Sequence, residues 1–297
     1  MRVPFLHWIT LTKWVVLPHS NYLNNINICY IKMPKDRDLT ILTIKDPPLP
    51  DPVDQDERLP NVTAGACILD VARPRSGKTV RIVNFLLNPN FFLECFDEVF
   101  IFSATMSKGD HSSRHLYDRY KSTIYNEYSD KSLQNILDYL DNIPKEVKGR
   151  YALIFDDFIQ FPRLTPNSLM FRIASSYRHY LNGGLLYYSS QQLKKVPPIV
   201  RASCSYVFLS QNSNLKQVEA LSDEFGNVFG KDKFLDLYAQ ATSVPYGFAY
   251  LDLYGYSGNN DGRPKFYQNF DKLLYEASIS YNKKSKNLDL PEPEDDN

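Results

Sequence analysis

The stretch Ala72-Arg73-Pro74-Arg75-Ser76-Gly77-Lys78-Thr79 constrains this chain more than any other. It joins an apolar run, Ala66–Val71, that reads as a buried strand to a segment of helical period, Lys78–Leu87. A strand, a turn carrying Gly-Lys-Thr and a helix let backbone amides and a helix N-terminus close around phosphate groups. In such a loop Arg75, Ser76, Gly77, Lys78, Thr79 and Val80 are the expected nucleotide contacts. The lysine reaches the β and γ oxygens, and the Thr79 hydroxyl ligates Mg²⁺. Ala72 stands where the pattern has its first glycine, and its Cβ restricts the backbone there, a restriction the loop is expected to accommodate.

The rest of the chain alternates in the same manner. Apolar runs at Glu98–Phe102, Tyr151–Phe155, Gly184–Ser189 and Tyr206–Ser210 read as strands. Helical patterns cover Ser132–Asn142, Ser168–Leu181, Leu215–Phe225 and Lys231–Ala241. Ser103–Ser129 is a polar insert, and Phe248–Leu253 and Lys265–Phe270 are late strands that can pair as an antiparallel edge hairpin. Strands alternating with helices predict an α/β fold with a mainly parallel sheet covered by helices on both faces.

Two further patterns add chemistry. The run Tyr151–Phe155 closes on Asp156-Asp157, which places a metal-side acid, Asp156, beside a general base or water-orienting group, Asp157. A turn or a helix cap would use the same pair of acids. The next strand closes on Ser189-Ser190-Gln191-Gln192, setting the Gln191 amide at the carboxyl edge, where ligands of open α/β sheets collect. Gln191 is there either a γ-phosphate sensor or a polar strand cap.

Composition excludes several classes. With 297 residues, 43% hydrophobic and 23% charged, the chain is neither disordered nor fibrous. Basic and acidic residues number 34 each, so no global basic field points to nucleic acid. Five acids, Asp289, Glu292, Glu294, Asp295 and Asp296, gather in the last ten residues, and the body is mildly basic without them. Cys29, Cys67, Cys95 and Cys204 show neither zinc spacing nor a disulfide framework, which suits a reducing compartment. Phe5–Pro18 is broken by His7 and Lys13 and lacks a cleavage site, and no uncharged apolar run is long enough to span a membrane. Residues 1–60 read as an N-terminal extension and Pro-rich connector with Met33 as the expected natural start, 61–284 as the folded domain, and 285–297 as an acidic disordered tail that solubilises or docks.

Taken in order, the phosphate loop, Asp156-Asp157, Tyr177-Arg178-His179, Ser190-Gln191 and Val196-Pro197-Pro198-Ile199-Val200-Arg201 resemble the genome-packaging ATPases of large DNA viruses and virophages, within the FtsK/HerA superfamily. The resemblance covers roughly residues 62–255. It implies a RecA-like P-loop NTPase core that uses ATP and Mg²⁺. It further implies assembly into a homo-oligomeric ring, expected to be a hexamer, and movement of double-stranded DNA into a preformed capsid through its portal vertex. The setting it implies is the virion or a cytoplasmic viral factory, with no membrane partner. Carried onto these residues, Lys78 and Thr79 hold nucleotide and metal, Asp156 is the metal-side acid, Asp157 the catalytic acid and Gln191 the sensor. For an arginine acting on the neighbouring subunit's phosphoryl group, Arg178 is the first candidate and Arg201 the second. Lys108, His111, Arg114, His115, Arg119 and Lys121, interleaved with Tyr117 and Tyr120, form either a DNA-channel lining or a solvated helix face, and Lys194-Lys195 pose the same choice. The rival readings are a nucleotide or nucleoside kinase, a scaffold protein that binds ATP without turnover, and a cellular translocase of the same superfamily.

Overall fold

The strand Ala66–Val71 (β1) forms where the sequence predicts it, and every one of its residues is buried. A continuous apolar run suits a strand covered on both faces. Helix α1, Lys78–Leu87, follows, then β2, Glu98–Ser103; the polar insert after it holds a helix, α2 (Arg114–Tyr120), and a two-residue strand, β3 (Ile124–Tyr125). Helix α3, Asp130–Asp141, starts two residues before its expected position, because Ser129 Oγ accepts from the Ser132 amide as its N-cap. Strand β4, Tyr151–Asp156, includes the first acid of the pair.

The helix expected over Ser168–Leu181 is not continuous. It divides into α4 (Leu169–Arg172), a 3₁₀ turn over Ile173–Ser175, and α5 (Tyr177–Leu181). Ser175 Oγ donates to the Arg172 carbonyl, and Ser176 leaves helical geometry, so the serine pair competes with the backbone ladder. Strand β5 (Leu185–Ser190), helix α6 (Pro198–Ser203) and β6 (Tyr206–Ser210) come next, and α6 begins on a proline suited to the first helical turn. Helices α7 (Leu215–Phe225) and α8 (Lys231–Ala241) then lead to β7 (Phe248–Asp252), β8 (Lys265–Gln268) and β9 (Lys272–Glu276). The expected edge hairpin is therefore extended by one strand, and β8 stops short of Phe270.

These strands make one nine-stranded sheet in the order β3-β2-β4-β5-β1-β6-β7-β8-β9. Pairing is parallel from β3 through β6 and antiparallel from β6 through β9. Side chains alternate between two cores. Ile68, Ile154, Tyr187 and Phe208 pack under α1 and α2, whereas Leu69, Phe155, Tyr188 and Leu209 pack under α3 to α8, so helices cover both faces as expected. Strand β5 lies between β1 and β4, with Val71 opposite Ser190 and Phe155 opposite Tyr188. That register sets the ends of the phosphate-loop strand and the acid strand on one carboxyl edge.

The computed structural model describes residues 53–277 except 145, 146, 148, 162, 163 and 258–261, all within one unit spanning residues 46–297. The N-terminal extension with Met33, most of the Pro-rich connector and the acidic tail lie outside the described residues. Among the described residues no helix is long and apolar enough to cross a membrane. Cys67 and Cys204, distant in sequence, bring their Sγ atoms to 3.6 Å as buried free thiols.

Candidate active site

The phosphate loop leaves β1 without breaking the ladder. The Ala72 amide still donates to the Ser190 carbonyl at 2.9 Å, and Ala72 is buried with a negative φ, so its Cβ is accommodated. The turn is made later, by positive φ at Arg75 (61°) and Gly77 (92°). A Cβ at Gly77 would have room, so the left-handed backbone is what calls for glycine there. Gly77 caps α1 with no side-chain hydrogen bond, which leaves the amides of the first turn open toward the loop. Ser76 Oγ donates to the Arg73 carbonyl and Lys78 Nζ to the Ala72 carbonyl, at 2.6 and 2.7 Å, so the loop holds its own shape and parks the lysine across its mouth.

A buried pair fixes this loop to the sheet. Asp70, the one acid inside β1, receives both Nε and Nη2 of Arg81 from α1, at 2.8 and 2.7 Å. Tyr187 of β5 donates to the same carboxylate at 2.6 Å, and Ser210 of β6 accepts from Arg81. The guanidinium also lies 4.7 Å over the Phe248 ring. Helix α1 and strands β1, β5, β6 and β7 are thus tied at one point below the loop.

The acids face the loop across a cleft of about 1120 Å³ that includes Arg73 to Arg81, Asp156, Asp157, Gln160 and Gln191 in its wall. Asp156 is almost fully buried, at the wall of the cleft. Ser103, at the end of β2, and Ser189, near the end of β5, each donate to one of its oxygens at 3.0 Å. Burial outweighs these hydrogen bonds and pushes the Asp156 carboxyl up to about 6. Asp157 has a left-handed backbone, φ 49°, and its amide is held by Ser189 Oγ. The turn directs its carboxylate into the cleft, where Oδ2 accepts from Gln160 and, at 2.7 Å, from Gln191. Its other oxygen, Oδ1, is buried and has no hydrogen-bond partner among the described residues. An orphaned acceptor in a polar cleft is a place for a water.

The donor set suits Mg²⁺ with a nucleotide. Among the described residues no cluster of three or more His, Cys, Asp or Glu side chains could cage a metal. Mg²⁺ bound to phosphates needs only one or two protein oxygens and otherwise keeps water. The hydroxyl of Thr79 and the carboxylate of Asp156, lining the same cleft, meet that requirement.

The structure thus gathers Arg75, Ser76, Gly77, Lys78, Thr79, Val80, Asp156, Asp157 and Gln191 in one cleft. It does not bring the two candidate arginines there. Arg178, on α5, lies exposed at the opposite edge of the sheet, with its stem against Gly65 and its guanidinium over the Tyr177 ring. Arg201, on α6, donates to the Val196 carbonyl at 2.7 Å and pairs with Glu224 of α7 at 2.9 Å. On α2, Arg114 pairs with Asp118 and Arg119 with Glu94, and the outer side of that helix is a solvated face. Sequence reasoning passed over Ser103, Gln160 and Arg81. For Arg81 a signal existed, an arginine on the apolar stripe of α1 facing the lone acid of an apolar strand.

No protein-family model matches the chain, and no curated protein does. Solved structures do. The genome packaging NTPase B204 from Sulfolobus turreted icosahedral virus 2 in complex with AMP is 16% identical, with a TM-score of 0.46 over 68% of this chain and 96% of that one. B204, the DNA-packaging ATPase from Sulfolobus turreted icosahedral virus, is 14% identical, with 0.46 over 67% and 95%. The N-terminal domain of zonular occludens toxin from Neisseria meningitidis is 15% identical, with 0.30 over 49% and 76%. The strand order, the loop opening α1 and the acids on the same carboxyl edge are those of an α/β, RecA-like P-loop NTPase fold.

Proposed function

We propose that this chain is a Mg²⁺-dependent ATP hydrolase that acts as the motor of viral DNA packaging. The observation that carries the hydrolase reading is Asp157. Its Oδ2 is held by Gln160 and Gln191 while its buried Oδ1 is left without a partner among the described residues, inside the cleft that the phosphate loop opens into. A carboxylate fixed by one oxygen offers the other to a water, orients it toward the γ-phosphorus and accepts its proton as the P–O bond to the leaving ADP lengthens. Lys78 leaves the Ala72 carbonyl for the β and γ oxygens, and the open amides of Gly77 and the first turn of α1 neutralise the same charge. Thr79 and Asp156 would hold Mg²⁺, which would supply additional neutralisation of phosphate charge. Gln191 touches the catalytic acid itself, so loss of the γ-phosphate can be relayed through it to β5 and the segment leading to α6.

The motor reading is supported by the order of sequence motifs, not by the cleft. Ring assembly, double-stranded DNA as cargo and a capsid portal as the docking partner belong to that reading, as does a virion or viral-factory location. Since neither Arg178 nor Arg201 reaches its own cleft, an arginine in trans would have to come from a surface presented to the next subunit. Arg178 is exposed and donates from Nε to the neutral Tyr177 hydroxyl at 3.3 Å, whereas Arg201 is ion-paired with Glu224, which favours Arg178. The test is steady-state ATP hydrolysis by the full chain, with and without linear double-stranded DNA, over a range of protein concentrations. DNA stimulation with activity rising faster than linearly in protein is the expected result. Hydrolysis indifferent to both would remove the motor, and ATP binding without turnover would leave a scaffold.

A further inference from the structure

The cleft has two chemically different ends. One holds the loop, the two acids and Gln191; the other is walled by Val80, Asn84, Phe91, Tyr246, Phe248 and Phe270. This second end has no part in the hydrolytic chemistry above. It begins where α1 leaves the phosphate loop, and Asn84 lies six residues past Lys78, ~9 Å along the helix axis. That distance is on the scale of a nucleoside reaching from phosphates held at the loop.

Tyr246 is the unusual residue of this wall. It is 75% exposed, takes a left-handed φ of 59°, and makes no hydrogen bond and no ring contact among the described residues. A bulky side chain is rarely left in that conformation, and where it is, the surrounding structure enforces it. Here the enforcement is visible. The turn from α8 into β7 is closed by the Gly247 amide on the Val244 carbonyl, and a Cβ at Gly247 would meet the Ala241 and Val244 carbonyls at 2.8 and 2.9 Å. The turn is thereby closed tightly, and Tyr246 lines both the cleft and the adjoining depression that Arg73, Arg75 and Ser76 of the loop share. Val80, in the wall of the same cleft, is 52% exposed on α1, an apolar surface that no other part of the described structure covers well. Asn84, one turn on and on the same face, donates to the Val80 carbonyl and accepts from Asn88, which leaves its amide one further donor and acceptor for a ligand edge.

We propose that this end is a nucleobase subsite, with the Tyr246 ring stacking on a purine, Val80 as its apolar neighbour and the Asn84 amide at its edge. The inference rests on the nucleotide reading of the phosphate loop and adds to it which part of the protein recognises the base. An unengaged aromatic face, a partly exposed aliphatic side chain and a spare amide, with no acidic side chain among them, match a flat neutral heterocycle.

The full chain and its Tyr246→Ala, Tyr246→Phe and Tyr246→Trp variants would be titrated with ATP and, separately, with inorganic tripolyphosphate, both with Mg²⁺. Tyr246 is exposed and its substitution empties no core. Tyr246→Ala is expected to weaken ATP about tenfold and to leave tripolyphosphate unchanged. Tyr246→Phe is expected to keep wild-type affinity for both, and the indole of Tyr246→Trp to be quenched by ATP and not by tripolyphosphate. If Tyr246→Ala binds ATP as the wild type does, or loses ATP and tripolyphosphate equally, the subsite is overturned while the phosphate site stands. If the wild type binds neither, the nucleotide reading itself falls and takes the subsite with it.

Discussion

At the scale of single residues, Asp156 and Asp157 are neighbours in sequence with opposite surroundings. Asp156 ends a strand, is sealed between two serine hydroxyls and is pushed by burial up to about 6. A carboxyl with a higher pKa in the folded chain than in the unfolded one binds protons on folding between the two values. Its contribution to stability is therefore greatest below about pH 4 and is lost as pH rises through 6, costing up to ~3 kcal/mol above that. Asp156→Asn keeps the shape, and one serine can accept from its amide nitrogen while the other donates to its oxygen, so thermal unfolding at pH 7 to 8 should move to higher temperature while the two proteins converge near pH 4. For the same reason kcat/KM for ATP in the wild type should fall as pH is lowered through about 6, because the metal-side acid is then protonated in the free enzyme. Asp157, turned by its left-handed backbone into the cleft, has a different role. Asp157→Asn should reduce turnover by about 10²- to 10⁴-fold with ATP affinity nearly intact, whereas Lys78→Ala should weaken ATP binding itself, both read by hydrolysis and equilibrium binding on the same preparations.

At the scale of elements, the coupling of α1 to β1 is carried by Arg81 and Asp70. Both are buried, so removing one partner strands a charge. Arg81→Ala should cost ~3–5 kcal/mol in urea unfolding, and replacing the pair together by Met and Leu should cost less than the single change. The pair also shows what can be read from a strand on its own. An acid within an otherwise apolar β1 stands out in the sequence, but its partner is eleven residues away on a helix, and only the crossing of helix over sheet brings the two together. The helix over Ser168–Leu181 fails for a local reason: its apolar period is intact, yet the Ser175-Ser176 pair divides it. β9, by contrast, lies at an exposed edge, where a five-residue strand leaves little pattern to read.

For the whole molecule, the question is whether one chain holds a complete site. The cleft contains Arg73 and Arg75 from its own loop, while Arg178 lies against Tyr177 at the other edge of the sheet. If Arg178 serves the next subunit, Arg178→Ala and Asp157→Asn should each be inactive alone, and mixing them should restore hydrolysis at interfaces that pair an intact Asp157 with an intact Arg178. No recovery on mixing, with assembly confirmed by light scattering, would return the role to an arginine of the same chain.

Read alone, the sequence dictates what is local. The ends of β1, α1, β6, α7 and α8, and the loop from Ala72 to Thr79, follow from period and turn chemistry within a few residues of each other. The site's acids were legible because a strand's last residues lie at its carboxyl edge whatever its neighbours are. Packing in three dimensions settles the rest. Ser103 and Ser189 meet Asp156 only because β2 and β5 flank β4 in this register. Gln191, at the end of β5, reaches the Asp157 oxygen that Gln160 holds from the adjoining 3₁₀ turn for the same reason. Strand order and register are set by the packing of two whole cores against nine strands, and that balance is spread over too many residues to be read from any one segment.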